Sequence, residues 1–481
     1  MSTSLNLRRV VIEPVTRVEG HGKVTILLDE DNRVRQARLH IVEFRGFERF
    51  IQGRPFWEAP VLVQRLCGIC PVSHHLAAAK ATDRLVGGEN LTPTALKMRL
   101  LMHHGQFLQS HALHFFHLAS PDLLFGFDAE PALRNVLGVA AKHPELAKQG
   151  ILLRKFGQEV IRATAGKKIH GTGAIPGGVN KNLSVEERDE LLRDMDQILQ
   201  WARGALKLAR DYTLENQKRL ADFGAFPSNH LSIVRADGTY DIYDGLLRAR
   251  DAEGRIIFDG VDNQAYADYI SEEVRSWSYM KFPFIRSLGP ETGWYRVGPL
   301  ARVNNCDRFD TPEAEEARRE FKEVSGGKPN NWTMAYHWAR MIELLHSAEK
   351  IRNLLHDPDL QGTDLLVEGE RRSEAVGIIE APRGTLFHQY CINEQAQIVR
   401  ANLIVSTTSN NEPMNRAVTR VAEEYLSGVP QITEGLLNHI EVAIRAYDPC
   451  LSCATHALGR MPLIVELRGA EGELLERKVR A

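Results

Sequence analysis

Two short cysteine pairs carry most of the chemical information in this 481-residue chain. The first lies in RLCGICPVSHH, with Cys67, Cys70, His74 and His75, and the second in DPCLSCATH, with Asp448, Cys450, Cys453 and His456. Each C-x-x-C is compact enough to chelate. A structural four-cysteine zinc site usually has its pairs about 15–20 residues apart, whereas Cys70 and Cys450 stand 380 positions apart. Four thiolates make a soft, electron-rich cage that suits nickel, iron or zinc better than a hard cation. Ligand type does not choose among these metals. On spacing alone a redox metal and structural zinc stand level, with buried cysteines of chance spacing as a further reading. A thioredoxin-like redox pair fits less well, because neither pair sits in a short strand-to-helix unit. Six cysteines in so long a chain are too few for a disulfide scaffold.

Several elements must bring the ends together. Arg8 to Glu43 alternates apolar and polar residues around Asp29–Asn32, which predicts a hairpin or small sheet. Apolar residues recur at helical spacing from Leu91 to Ser120, Val185 to Phe223, Asn331 to Asp357 and Met414 to Tyr447. His230 to Gly260 reads as strands with ADG and AEG turns, and Gly377 to Val405 as another strand pair. The expected fold is mixed α+β and predominantly α, a central bundle of long helices with peripheral β-hairpins. Without repeats or a long linker, residues 1–456 read as one unit, with an N-terminal β region at about 8–44 and a helical core with β insertions over 57–456. Residues 457–481 carry a GAEGE turn between alternating runs and read as a separate hairpin.

Composition excludes other functions. The 60 Lys and Arg nearly balance the 62 Asp and Glu, and no basic run interleaves with aromatics, so a nucleic-acid partner has no electrostatic footprint. The N-terminus lacks an apolar signal region, and no window approaches the roughly 18–20 apolar residues that cross a bilayer.

Five motifs in order, TRVEGH (Thr16–His21), RGFE (Arg45–Glu48), RLCGICPVSHH, APRGTLFH (Ala381–His388) and DPCLSCATH, resemble the signatures of nickel-iron hydrogenase large subunits across nearly the whole chain. The resemblance implies that Cys67 and Cys450 bind nickel terminally, and that Cys70 and Cys453 bridge nickel to an iron carrying CN and CO. Such a centre polarises and splits dihydrogen, while the protein supplies geometry, a dry pocket and a route for protons. It further implies that Glu19 passes protons beside a nickel-bound cysteine and that Arg383 hangs over the open side of the cluster, oriented by Asp448. His74 would donate N–H to the Cys70 sulfur, Thr407 would bond a cyanide, and Leu386, Val405 and Ser406 would wall the diatomic pocket. Glu48, the Leu403 carbonyl and His456 would hold a Mg2+ ion. On their residue types alone, these positions read instead as capping, strand-end, surface-pair or core residues. Ser110 in FLQSH stands where many relatives place an aspartate, which removes a negative charge beside the site.

The resemblance also implies a C-terminal extension, residues 457–481, removed after His456 by a maturation endopeptidase. Cys306 and Cys391 are isolated, so the electrons need an iron-sulfur small subunit. The chain most resembles the cytoplasmic, bidirectional NAD-reducing group, in which a diaphorase with flavin and iron-sulfur centres completes the path from H2 to NAD. No Gly-rich nucleotide fingerprint appears here, so NAD, FMN and Fe-S are expected in partners. The same core coupled to a deazaflavin or NADP, a structural zinc protein, and an electron-transport scaffold like the quinone-site subunit of respiratory complex I are the competing readings.

Overall fold

The computed structural model describes residues 7–43, 45–455, 463–468 and 474–480. Arg8–Ile12 (β1), Gly22–Leu28 (β2) and Val34–Ile41 (β3) form an antiparallel sheet in sequence order. The turn between β2 and β3 is set by Asp29, whose Oδ1 accepts the N–H groups of Asp31 and Arg33.

Helices dominate the centre: Pro71–Leu85 (α1), Pro93–Leu113 (α2), Pro144–Ala165 (α3), Met195–Glu215 (α4) and Ala335–Leu355 (α5). Thr92 caps α2 by accepting the Ala95 N–H, and Pro93 follows at the position where a missing N–H costs nothing. The flanks of α2 pack on α3 and α5, and α4 packs on α5. A Cβ on Gly157 of α3 would stand 2.7 Å from the Gly105 carbonyl oxygen of α2, so the two backbones touch and the crossing admits no side chain.

Helical periodicity overruns the helices in three places. Regular α geometry stops at Leu113, and His114–Ala119 forms a π-helical turn before Ser120–Phe125. Pro121 accounts for this, since it offers no N–H to the preceding turn and its ring crowds that turn's carbonyl. Val185 to Phe223 divides into Val185–Leu192, α4 and Gln217–Leu220. Met414 to Tyr447 divides into Asn411–Leu426 (α6) and Glu434–Ala446 (α7), because Gly428 adopts a φ of 75° and Pro430 follows. The 22-residue α3 lies in a stretch that the sequence reading leaves unassigned.

Asn229–Val234 (β4), Leu246–Arg250 (β5) and Ile256–Val261 (β6) are antiparallel, and the two-residue strand Tyr295–Arg296 adds to β4 in parallel. Where the sequence suggests a strand pair, Glu374–Ala381 (β7), Gly384–Ile392 (β8) and Ile398–Ile404 (β9) form three antiparallel strands. Ala381 pairs with Gly384, so Pro382 and Arg383 alone make the β7–β8 turn. The β7 strand packs against α1. Leu463–Arg468 (β10) and Leu474–Arg480 (β11) pair as an antiparallel hairpin in the last stretch. Among the described residues no helix is long and apolar enough to cross a membrane.

Candidate metal centre

The two cysteine pairs meet. The sulfurs of Cys67, Cys70, Cys450 and Cys453 all lie within 4.8 Å of one another, and all four residues are buried. Cys67 Sγ stands 3.3 Å from Cys450 Sγ, and Cys70 Sγ 3.8 Å from Cys453 Sγ, so each sulfur of one pair faces one of the other.

Local structure explains how each pair is held. Cys67 follows a 3-10 turn at Val63–Leu66, and its sulfur accepts the N–H groups of Ile69 and Cys70, both at 3.2 Å. Cys70 is the N-cap of α1. The polar face of α2 grips this loop: Gln106 and Gln109, one helical turn apart, both donate to the Ile69 carbonyl at 2.9 and 2.7 Å. On the other side α7 ends and the chain reverses at Asp448, whose φ of 54° an aspartate tolerates better than most residues. Cys450 then pairs with Glu19 in a parallel bridge, and Ser452–Ala454 forms a 3-10 turn that carries Cys453. Gly20 is required here, because its φ is +83° and a Cβ would meet Ser452 N and Oγ at 2.8 Å. Arg45 ties the halves together, its N–H donating to the Thr455 carbonyl at 2.9 Å and its guanidinium to the Leu66 carbonyl at 2.8 Å.

Four sulfurs so close and so dry need positive charge. Burial raises Cys67, but hydrogen bonds from the other three cysteines, with Arg383, outweigh it and bring that thiol well below its ordinary value. Burial, reinforced by neighbouring sulfurs, pushes Cys450 and Cys453 well above theirs. The cage is therefore poised to trade thiol protons for a metal.

A cavity of about 10 Å3 opens beside the sulfurs of Cys70, Cys450 and Cys453, lined by His74, Ala381, Arg383, Leu386, Val405, Ser406 and Thr407. That is room for one water-sized group. Arg383, at the tip of the β7–β8 turn, donates from Nε to the Asp448 carbonyl at 2.6 Å, from Nη2 to Asp448 Oδ1 at 3.0 Å and from Nη1 to Ser110 Oγ at 3.3 Å. Burial works against its charge, but Asp448 and the cysteine sulfurs hold the guanidinium well above its ordinary pKa. Asp448 Oδ2 is buried with no partner among the described residues. Thr407 Oγ1 accepts the Cys450 N–H at 3.0 Å and keeps its own proton to donate, whereas the Ser406 hydroxyl donates to the Gly384 carbonyl at 2.6 Å.

Glu19 is half-buried beside the second pair. Its Oε2 lies 3.0 Å from the Cys450 thiol, which donates to it, and accepts the Ser452 N–H at 3.1 Å. His74 Nδ1 lies 3.2 Å from His388 Nε2, and His388 Nδ1 2.7 Å from Tyr390 Oη. Glu48 Oε1, buried, accepts the Leu403 N–H at 2.8 Å. His456 falls outside the described residues.

Sequence reasoning missed what holds Arg383 in place. Arg302 is fully buried and donates to Glu343 at 2.5 and 2.7 Å, to Glu380 Oε2 at 2.8 Å and to the carbonyls of Ala381 and Pro382 at 2.8 and 3.1 Å. His111 adds a contact to Glu343 at 2.9 Å, and His103 one to the Glu380 carbonyl at 2.7 Å. Burial raises Glu343, but Arg302 and His111 outweigh it and bring its carboxyl down to about 2. These partners are too far apart in sequence to signal one another.

A structural zinc site is closed on all sides by its four ligands, whereas this cage has one face opening onto a cavity with a cationic side chain above it. Fold and site together fit a metal centre that keeps one face accessible. The model for nickel-dependent hydrogenases matches residues 45–133 and 232–456, and a HoxL-like HoxH model matches residues 9–44. The NAD-reducing hydrogenase HoxS subunit beta of Cupriavidus necator is 50% identical, over 98% of this chain and 100% of its own length. An F420-non-reducing hydrogenase subunit of Methanothermobacter thermautotrophicus is 43% identical over 98% and 99%. A solved NAD+-reducing NiFe hydrogenase in the H2-reduced state superposes with a TM-score of 0.92 at 59% identity, covering 93% of this chain and 99% of that one. The Ni-Fe-Se hydrogenase of D. vulgaris Hildenborough shares the fold, with a TM-score of 0.75 at 23% identity over 94% and 100%. The chain belongs to the nickel-dependent hydrogenase family and is an oxidoreductase.

Proposed function

We propose that this chain is the catalytic large subunit of a nickel-iron hydrogenase that oxidises H2 reversibly, passing electrons through an iron-sulfur small subunit to a diaphorase that reduces NAD+. The observation that carries the reading is the buried four-thiolate cage with its water-sized open flank. NAD as acceptor is favoured by the 50% identity to an NAD-reducing hydrogenase subunit over 98% of this chain and all of that one. Those partners, and a cytoplasmic location, accompany that choice.

In this reading Cys67, Cys70, Cys450 and Cys453 would hold a Ni-Fe centre whose iron would carry CN and CO. When bound, that centre supplies the polarisation that cleaves H2 heterolytically. The chain's residues do the rest. Glu19 accepts the proton from the Cys450 sulfur. Arg383, fixed by Asp448, places fork-shaped donors over the cavity. Thr407 offers a hydroxyl proton, Leu386, Val405 and Ser406 exclude water, and His74 tunes the Cys70 side. Glu48, the Leu403 carbonyl and His456 would hold a Mg2+ ion, a reading supported by the burial of Glu48 and Leu403 side by side. Residues 1–456 are the working domain, and a maturation endopeptidase removes 457–481. The family match ends at residue 456, which agrees with that boundary.

Metal analysis and infrared spectroscopy test the centre, on protein purified with its partners. Equimolar nickel and iron beyond the iron of partner clusters, with cyanide and carbonyl bands, are expected; zinc alone without those bands would refute the reading. Glu19→Gln is expected to abolish H2 turnover with metal content unchanged, and wild-type-like turnover would remove Glu19 from its role.

A further inference from the structure

The hydrogen bonds at Glu19 continue outward. Ser452 donates its N–H to Glu19 Oε2 at 3.1 Å, and its hydroxyl donates to Glu43 Oε2 at 3.1 Å. The other carboxylate oxygen of Glu43 is in contact with His21 Nδ1, and the His21 side chain is 70% exposed, so the chain of groups reaches solvent. Four residues from three separate segments thus link the Cys450 sulfur to the surface. Two of them, Glu19 and His21, flank Gly20, whose lack of a side chain lets Ser452 approach.

We propose that Ser452, Glu43 and His21 form the outer half of the proton route, carrying protons between Glu19 and water. The inference rests on the hydrogenase reading and on Glu19 as its inner group.

Each hop conserves charge and moves one proton. The Cys450 S–H bond breaks as an O–H forms on Glu19 Oε2. Ser452 Oγ takes that proton as it releases its own to Glu43 Oε2, a step that needs the Glu19 carboxyl to swing from the Ser452 N–H toward its hydroxyl. The Glu43 carboxyl turns from Ser452 toward the ring and protonates His21 Nδ1 in the tautomer that carries its hydrogen on Nε2, and His21 Nε2 gives up that hydrogen to water. H2 production runs the same hops in reverse. Electrons take no part in this path.

The chemistry of each group fits its place. Burial raises the Glu43 carboxyl, but the bonds from His21 and Ser452 outweigh it and keep it below the ordinary glutamate range, so Glu43 rests ionised and ready to accept. Arg45 adds a further positive charge near it. A serine hydroxyl donates and accepts at once. The exposed His21 ring offers one nitrogen to Glu43 and the other to water.

The test uses the complete complex, purified with its partners and assayed for nickel and iron. Glu43→Gln keeps an acceptor for Ser452 but carries no proton. It is expected to lower H2 oxidation and the exchange of D2 with water at least tenfold, while para-hydrogen conversion, which needs no proton exchange with solvent, stays within twofold of the unaltered enzyme. Glu43→Asp is expected to recover part of the exchange. His21→Ala is expected to slow exchange severalfold, with added imidazole restoring it. A Glu43→Gln enzyme that exchanges D2 at the unaltered rate, or one that loses para-hydrogen conversion in parallel, overturns the route; so does a His21→Ala enzyme indifferent to imidazole. An unaltered enzyme that contains nickel and iron yet neither splits nor exchanges H2 would instead overturn the hydrogenase reading itself.

Discussion

Two buried arginines, Arg302 and Arg383, sit at either end of one short stretch of β7 and its turn, and they are treated differently. Arg302 is saturated: two carboxylates and two carbonyls take up its guanidinium. Arg383 has one carboxylate partner, the carbonyl of that same Asp448, a serine at 3.3 Å and a face turned to the cavity, while Asp448 keeps one carboxylate oxygen without a partner among the described residues. A buried charge whose partners are complete locks a backbone in place. One whose partners are incomplete is held ready for something that arrives later. The lesson is that the same residue type serves as scaffold or as reactive group according to how many of its bonds the protein itself makes.

Removing the saturated cation should have the largest effect. Arg302→Met leaves the Glu343 and Glu380 carboxylates buried without their counter-charge, and a loss of about 3–5 kcal/mol in unfolding free energy is expected from denaturant titration. A loss under about 1 kcal/mol would erase the contrast between the two arginines.

Arg383→Lys keeps the charge but not the planar fork. H2 turnover is expected to fall by about 10²–10³, comparable to deleting one preorganised donor, with nickel and iron retained and unfolding almost unmoved. A stability loss as large as that of Arg302→Met would place both arginines in the scaffold.

Acid should attack the scaffold through its histidines. Burial outweighs the contacts of His103 and His111 and lowers them from an ordinary 6.5 to about 3 and about 4. They stay neutral in the folded protein while the unfolded chain binds protons below pH 6.5. Their stability is therefore full above that pH and is lost progressively down to about pH 3–4. Replacing His103 with Gln should flatten the fall in melting temperature between pH 6.5 and 4, and an unchanged slope would clear it of this role.

The smallest effect sharpens the comparison. Ser110→Asp supplies a second carboxylate to Arg383 and moves it toward the saturated state of Arg302. Turnover should change severalfold with nickel and iron retained; identical kinetics would show that Arg383 is insensitive to its partner count.

Much of this contrast was invisible in the sequence. The cysteine pairs, Glu19, Arg383 and Asp448 lie in compact motifs, and the structure brings those residues together at the cage and its open flank. Alternation around Asp29 gave the N-terminal sheet because one face is buried and register follows from period two. Helix boundaries were less legible. The π-helical turn at His114 and the break at Gly428 depend on single residues, Pro121 and Gly428, that periodicity averages over. The Arg302 cluster could not be read at all, since Arg302, Glu343 and Glu380 stand on three elements and an isolated charge in a helical pattern looks solvent-facing. Buried polar residues on α2 were similarly opaque, since nothing along the helix shows that the Ile69 loop takes up Gln106 and Gln109 and that α5 takes up His111.

The pairing of Cys67 with Cys450 across 383 positions also sets a clock on biosynthesis. A ribosome adding roughly 5–20 residues per second needs about 20–80 s to travel from one to the other. Throughout that interval the first pair of thiols has emerged without the second, and a metal captured by Cys67 and Cys70 alone would find half a cage. Loading the site is thereby coupled to synthesis of the second cysteine pair.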